Sequence, residues 1–433
     1  MRTLRIAPAV LLLAAGLAYA APVPAAVTDE QLKERAAKLN DVTTDEARTA
    51  KLKELLKDRE TAKRLAQVAV KMHDEAKADD KPFKFNAALL LGQVAQVSKD
   101  YKAAKTFYAF CKKTAEKLDS EPKLILACEG LIDLAWAQKD FDGVIEESKK
   151  ALELGGDSKE MQGLQFFAIE KMIQATARKG QTDEALGMVG RLGFKSWYAE
   201  QLKSYILREA GKFDEAADAL VEAGKALEDE QFDKDDTKQR LIRQTKYMTA
   251  STYVEAKKVD KAADILKKLI KEDPDNPTYP NDLGFIWCDH DMNLEESEKL
   301  IRSALELDEK QRKKLLEEKK ITEDEAKKRN ASYVDSLGWV LFKQKKYEEA
   351  KKALVEASQD QDDGDHLEIW DHLADVHMAL GDTKAAIDTW TKALKFEDLT
   401  KRDGERRKKI SQKLQKAKAG DKKEPEKEEK KDK

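Results

Sequence analysis

The residues most able to do chemistry are five histidines and three cysteines. His366, His372 and His377 crowd one stretch with Asp371 and Asp375. His372 and His377, five residues apart, stand roughly 140° apart around a helix and face different ways. His372 and Asp375, three apart, share a face. Two ligands fall short of a structural zinc set. Asp360, Asp362, Asp363, Gly364 and Asp365 imitate a calcium loop. Aligning Gly364 with the loop's glycine puts Gln359 and Gln361 at ligand positions and Trp370 where the closing glutamate belongs, so the pattern fails. Asp233, Asp235 and Asp236 lack the glycine. Cys288 and His290 are two apart and leave a helix on different faces, without an orienting group or oxyanion donors. HExxH, GxSxG, CxxC and P-loop patterns are absent. The sequence thus offers no catalytic residue, no metal set and no cofactor motif.

The elements that would carry these residues are helical. Charged residues are 38%, hydrophobic ones 41% and aromatics 7% of 433 residues, with 19 glycines and 9 prolines. That excludes a collagen, a glycine-rich barrel and a turn-rich β-sandwich, and it favours long helices with charged outer faces. A net charge of -3 gives no general attraction for nucleic acid or anionic membrane. The basic cluster Arg402, Arg406, Arg407, Lys408 and Lys409 lacks aromatics to stack bases and reads as a solvated helix end.

Arg2 and Arg5, an apolar stretch over residues 6–19 and the small-x-small pattern Ala18-Tyr19-Ala20 read as a signal peptide over 1–20, cut after Ala20. As a retained anchor the stretch is short, since a spanning helix takes about 20 residues. The expectation is a periplasmic or secreted chain with no spanning segment after cleavage. Cys111, Cys128 and Cys288 are an odd set. An oxidised pair stays open, but buried free thiols fit their apolar neighbours better.

From residue 84 a unit recurs: a helix with a small residue at its middle, a short turn, and a second helix opening on an aromatic, two mostly charged residues and alanine. Leu91-Gly92 leads to Tyr101-Lys102-Ala103-Ala104, and Leu337-Gly338 to Tyr347-Glu348-Glu349-Ala350. Leu373-Ala374 leads to Gly381 and Ala386. Ala250 to Gly284 spans 34 residues and Gly338 to Ala374 spans 36, each room for two helices and two turns. The small residues let crossing helices approach closely. The expected fold class is all-α, a superhelical solenoid of antiparallel helix pairs. The divisions expected are an N-terminal helical region at 21–83, possibly capping the array, and repeats at 84–223, 241–308 and 331–397. An acidic insertion at 224–240, a charged helical insertion at 309–330 and a charged, partly disordered tail at 398–433 complete them.

These features resemble the tetratricopeptide repeat family over about residues 84–397, in eight units. Trp370, Leu373, Ala374, Gly381, Ala386, Ala393 and Leu394 carry one repeat, and Leu337, Gly338, Tyr347, Ala350, Leu354 and Ala357 another. Asn281-Asp282-Leu283-Gly284 and Val334-Asp335-Ser336-Leu337-Gly338-Trp339 resemble a bacterial, exported branch of the family. The resemblance implies that the first helix of each pair lines a concave face. By that register Asn281, Asp282 and Phe285 point inward, then Asp335, Trp339 and Phe342, then Asp371, His372, Asp375 and Met378. Carboxylates among aromatics would suit a basic or amide-rich peptide segment. Alternatively, Trp339 packs within the solenoid and the aspartates serve solubility. The leading expectation is an exported, non-catalytic scaffold for protein–protein or protein–peptide interaction. The alternatives are an assembly factor of a cell-envelope complex, and an enzyme with an unrecognised N-terminal site.

Overall fold

The computed structural model describes residues 27–421, apart from 78–80, 192, 194, 233, 361–363, 365 and 397–400. The signal peptide expected at 1–20 and the end of the charged tail, 422–433, lie outside the described residues. So do Asp362, Asp363 and Asp365 of the failed calcium loop. No strand occurs among the described residues. The chain divides between Gln231 and Phe232 into two compact units.

The N-terminal unit starts with α1 (Asp29–Lys38), α2 (Asp45–Leu56) and α3 (Arg59–Glu75). Four helix pairs follow: α4 (Phe85–Val97) with α5 (Tyr101–Lys117), α6 (Glu121–Ala137) with α7 (Phe141–Glu153), α8 (Lys159–Arg178) with α9 (Thr182–Arg191), and α10 (Ser196–Glu209) with α11 (Phe213–Asp229). The C-terminal unit pairs α12 (Asp235–Glu255) with α13 (Val259–Glu272) and α14 (Thr278–Asp289) with α15 (Leu294–Glu317). After the short α16 (Glu323–Lys327) it pairs α17 (Ala331–Lys343) with α18 (Tyr347–Ser358) and α19 (Leu367–Ala379) with α20 (Thr383–Ala393). It ends in α21 (Lys401–Asp421). The fold is all-α, built of antiparallel helix pairs.

One turn chemistry repeats at every pair. The first helix ends in a left-handed residue: Lys99, Lys139, Gly180, Gly211, Lys257, Asp291, Lys345 or Gly381. The next N–H then reaches back to a carbonyl five residues earlier, as in Asp100 N to Ala95 O at 2.8 Å and Asp382 N to His377 O at 3.0 Å. This closes the helix end and satisfies its carbonyls. Asp100, Asp140 and Asp382 then cap the second helix by accepting its third N–H, which satisfies an otherwise orphaned donor. Helix end and helix start thus share two residues, and that sets the tight antiparallel return.

Close approach within a pair depends on glycine. A Cβ on Gly338 would meet Leu354 Cγ at 2.5 Å, and one on Gly284 would meet Ile301 Cγ1 and the Ser297 carbonyl at 2.8 Å. In the N-terminal unit Tyr108 lies against both Gly92 and Gly130, where an added Cβ would come within 2.9 and 2.8 Å of its ring.

Residues 29–75 stack on the array. Leu32, Ala36, Leu39, Leu65 and Ala69 share one buried cluster with Phe83, Leu89, Leu90 and Phe107. The acidic segment 224–240 is not an inserted loop. Glu228 and Asp229 close α11, and Asp235 and Asp236 open α12, where acid complements the helix N-terminus. In 309–330 the chain continues α15 as far as Glu317 and adds α16. The basic stretch from 401 corrects the solvated-end expectation. Ile410, Leu414 and Ala417 of α21 are buried with Leu367, Ala374, Trp390 and Ala393. That stripe, at helical spacing among lysines and arginines, covers the apolar face that α19 and α20 would otherwise leave open.

Candidate partner-binding site

In the C-terminal unit the first helices of successive pairs are α12, α14, α17 and α19. They place most of the expected inward residues side by side, but much of that row is occupied from within the chain. Tyr247 of α12 donates to Asp282 Oδ2 at 2.6 Å, and Asn281 Nδ2 donates to Asp282 Oδ1 at 3.1 Å. His372 Nδ1 lies 2.9 Å from Asp335 Oδ1, with both residues buried. Asp371 accepts from Trp390 Nε1 at 3.0 Å and from Lys413 Nζ at 2.8 Å. Lys413 also reaches Asp375 Oδ2 at 2.6 Å, and Arg406 bridges Glu368 and Asp371. The four aspartates expected to face a partner therefore join successive repeats and the closing helix. The repeat period sets Tyr247 opposite Asp282 and His372 opposite Asp335, while α21 brings Lys413 to Asp371 and Asp375, so the carboxylates on this face meet their own chain first.

Electrostatics follow from burial. Desolvation raises Asp282 above the usual carboxylate range, against the hydrogen bonds from Tyr247 and Asn281. It also raises Asp375, against the Lys413 charge. Burial pulls His372 down, but the charge and hydrogen bond of Asp335 more than offset it, so the imidazole titrates above its ordinary value. Trp339 is 9% exposed and stacked between rings. His372 lies 4.0 Å away at 13°, and Phe342 4.9 Å away at 11°. Its Nε1 donates to Asp289 at 3.3 Å. Trp339 packs inside the unit. Met378 is exposed near the far end of α19.

Asn281, Phe285 and Asp335 meet around a cavity of about 160 Å³, with Ser332, Ser336, His366, Glu368 and Ile369. Asn281, Asp335 and Ser336 are buried, while Ser332 and His366 are exposed at the rim. Ser332, His366, Glu368 and Ile369 escaped the sequence reading. Ser332 sits one turn before Ser336, and Glu368 one turn before His372, so helical spacing alone could have found those two. His366 enters as the N-cap of α19, a position outside the helix register.

The N-terminal unit carries a different first-helix face. Lys171 of α8 lies 5.0 Å from the Trp136 ring and 5.2 Å from Phe167, with its Nζ 2.9 Å from Asp133. Arg178 stands 5.9 Å from Trp136 and bonds Tyr205 and Glu209.

Cys111, Cys128 and Cys288 are buried free thiols. Burial pushes them to about 12, 11 and 12. His290 is exposed and its Nδ1 contacts the Ile286 carbonyl. His372 and Asp375, which share a ligand face in the sequence, bond Asp335 and Lys413 respectively. Among the described residues no group of three or more His, Cys, Asp or Glu side chains could hold a metal ion. Among them, too, no helix is long and apolar enough to cross a membrane.

Models of the tetratricopeptide repeat match residues 244–276 and 336–398. These segments include α13, most of α17, and α18 to α20. No curated protein matches the sequence. Among solved structures, that of yeast Tom70 aligns with 91% of this chain and 82% of its own, at 13% identity and a TM-score of 0.53. A tetratricopeptide repeat protein from Parabacteroides merdae aligns with 66% of this chain and 98% of its own, at 13% identity and a TM-score of 0.42. The first supports the helix-pair fold across most of the chain.

Proposed function

We propose that this protein is an exported, non-catalytic scaffold that holds a protein or peptide partner on the first-helix face of its C-terminal unit. The observation that carries the reading is the cavity there, where α14 and α17 set buried polar groups beneath an exposed rim and α19 adds half-buried Glu368 and apolar Ile369. Rigid, fully paired helices around a small open site suit recognition of a partner that arrives already shaped or extended. Export rests on the leader pattern at 1–20. The carboxylates expected to draw a basic segment are paired internally, so recognition falls to the cavity and to neighbouring half-buried Phe285.

The test is a peptide array probed with the full-length protein, followed by hydrogen exchange on the complexes. Bound peptides are expected to protect α14, α17 and α19. Absence of any bound peptide, or protection confined to second helices, would overturn the reading. Export is checked by N-terminal sequencing of the protein from the compartment outside the inner membrane. An intact Met1 there would refute cleavage.

A further inference from the structure

The cavity between α14, α17 and α19 has a surplus of hydrogen-bond acceptors. Asn281 is 5% exposed and lines it. Its Nδ2 is spent on Asp282 at 3.1 Å, which sets the orientation of the amide, and its buried Oδ1 accepts no hydrogen bond from the protein. No protein group donates to this acceptor, so its hydrogen bond must come from whatever fills the cavity, water or a ligand that displaces it. Ser336 donates its hydroxyl proton to the Ser332 carbonyl at 2.9 Å, so its lone pairs stay open to the cavity. Asp335 gives Oδ1 to His372 and, as a carboxylate, keeps further acceptor capacity on its other oxygen. Phe285 and Ile369 add apolar wall.

Size narrows the occupant. About 160 Å³ is roughly the liquid volume of five waters and well below the about 300 Å³ at which drug-sized ligand pockets begin. The space fits one side chain. The occupant must bring donors, carry no acceptor that would compete with those of the cavity, and lay an apolar stem on Phe285 and Ile369. An ammonium on an aliphatic stem does this with three donors and no acceptor. A guanidinium is broader and planar. Of the two cavity carboxylates, Asp335 already has His372 behind it and Glu368 has Arg406. The attraction comes from acceptors more than from net charge, and the affinity is accordingly modest.

We propose that this cavity is a socket for a lysine side chain of the partner. The assignment rests on the scaffold reading of the same face and names the group that face selects.

The test is ligand-observed NMR titration of the full-length protein with a blocked Gly-Gly-Lys-Gly-Gly peptide. The comparison peptides carry acetyl-lysine, glutamine, norleucine or arginine at the centre. The lysine peptide is expected to bind at least about tenfold more tightly than the acetyl-lysine, glutamine and norleucine peptides, the loss expected when a charge-assisted donor is removed, and more tightly than the arginine peptide, whose broad planar head fits the space less well. Asn281→Leu fills the floor and removes the acceptor. Ser332→Trp covers the mouth from an exposed position and leaves the buried packing alone. Both are expected to weaken the lysine peptide at least about tenfold, with the helical circular dichroism of Ser332→Trp unchanged. If Asn281→Leu does not fold, Ser332→Trp decides. Equal binding of lysine and any comparison peptide overturns the assignment, and so does unchanged binding by Ser332→Trp. Array peptides that bind wild type and Ser332→Trp alike would sink the socket and leave the scaffold standing. An array without a bound peptide would sink the scaffold reading itself.

Discussion

The two units repeat one helix-pair design and spend their first-helix faces differently. In the N-terminal unit, cations lie over aromatic rings, Lys171 against Trp136 and Phe167, with half-exposed acids beside them. In the C-terminal unit, acids are buried against cations and rings: Asp335 against His372 of the next repeat, and Asp371 against Trp390 of its own pair and Lys413 of the closing helix. The same charge pairing therefore costs different amounts to break. A half-exposed pair keeps water as a substitute partner. A buried pair does not.

The largest test of that contrast is Asp335→Ala. It leaves His372, which is 1% exposed, without its partner and is expected to cost about 3–5 kcal/mol in denaturant unfolding. Lys171→Ala in the other unit is expected to cost about 1 kcal/mol or less, because Asp133 can turn to solvent. Equal losses would erase the distinction between the faces.

Glycine gives a second contrast. Gly338→Leu drives a side chain into Leu354 and is expected to cost about 3 kcal/mol. Gly187→Ala in α9 meets nothing within 4 Å and is expected to stabilise by about 0.5–1 kcal/mol through the lost freedom of the unfolded chain. Thermal unfolding of both variants checks the pair. A tolerated Gly338→Leu would mean that close helix approach is not what holds the repeat.

Acid and base should act on His372 and on His73 with opposite sign. His372 is raised from 6.5 by Asp335. Its contribution is whole below 6.5 and is lost as pH rises through its folded value. His73 in α3 is lowered from 6.5 by burial and by the Lys81 charge. Its contribution is present above 6.5 and is lost as pH falls through its folded value. His377 in α19 is lowered as well, so the comparison uses variants. His372→Gln should flatten the decline in unfolding midpoint on the alkaline side, and His73→Gln the decline on the acid side. If His372→Gln altered only the acid side, the direction assigned to the pair would be wrong.

The smallest expected effect lies where the units agree, at the left-handed turn residue. Lys345→Gly removes a Cβ from that conformation and is expected to stabilise by about 1 kcal/mol. Gly381→Lys should cost a similar amount in the neighbouring repeat. Calorimetry of the two variants measures both. No change in either would show that the turn is not under that strain.

Much of the fold was legible because its signals are local. Tyr101, Phe141, Phe213 and Tyr347 each open a second helix on an aromatic as the repeat pattern predicts, and aliphatic Val259 and Leu294 take that place in two others. The capping aspartate, the turn and the mid-helix glycine all lie within a few residues of what they control. The site was legible only in part. Asn281, Phe285 and Asp335, expected on one face, line one cavity. Trp339 and the row of aspartates were given to a partner because their internal partners sit far along the chain: His372 is 37 residues from Asp335, and Lys413 is 42 from Asp371. The burial of α21 was missed for a related reason. Ile410, Leu414 and Ala417 are a thin stripe among charges, and nothing local says which helices will receive it.

Alone, the sequence determined that this chain forms helices in pairs, how the pairs turn, and which positions must be small, since propensity, capping and turn geometry act over one or two turns of backbone. Only the tertiary structure decided which carboxylates are spent on the chain itself and which acceptor is left over for a guest. That depends on what the next repeat sets across the face, and a hydrogen bond once filled from within cannot also be offered outward.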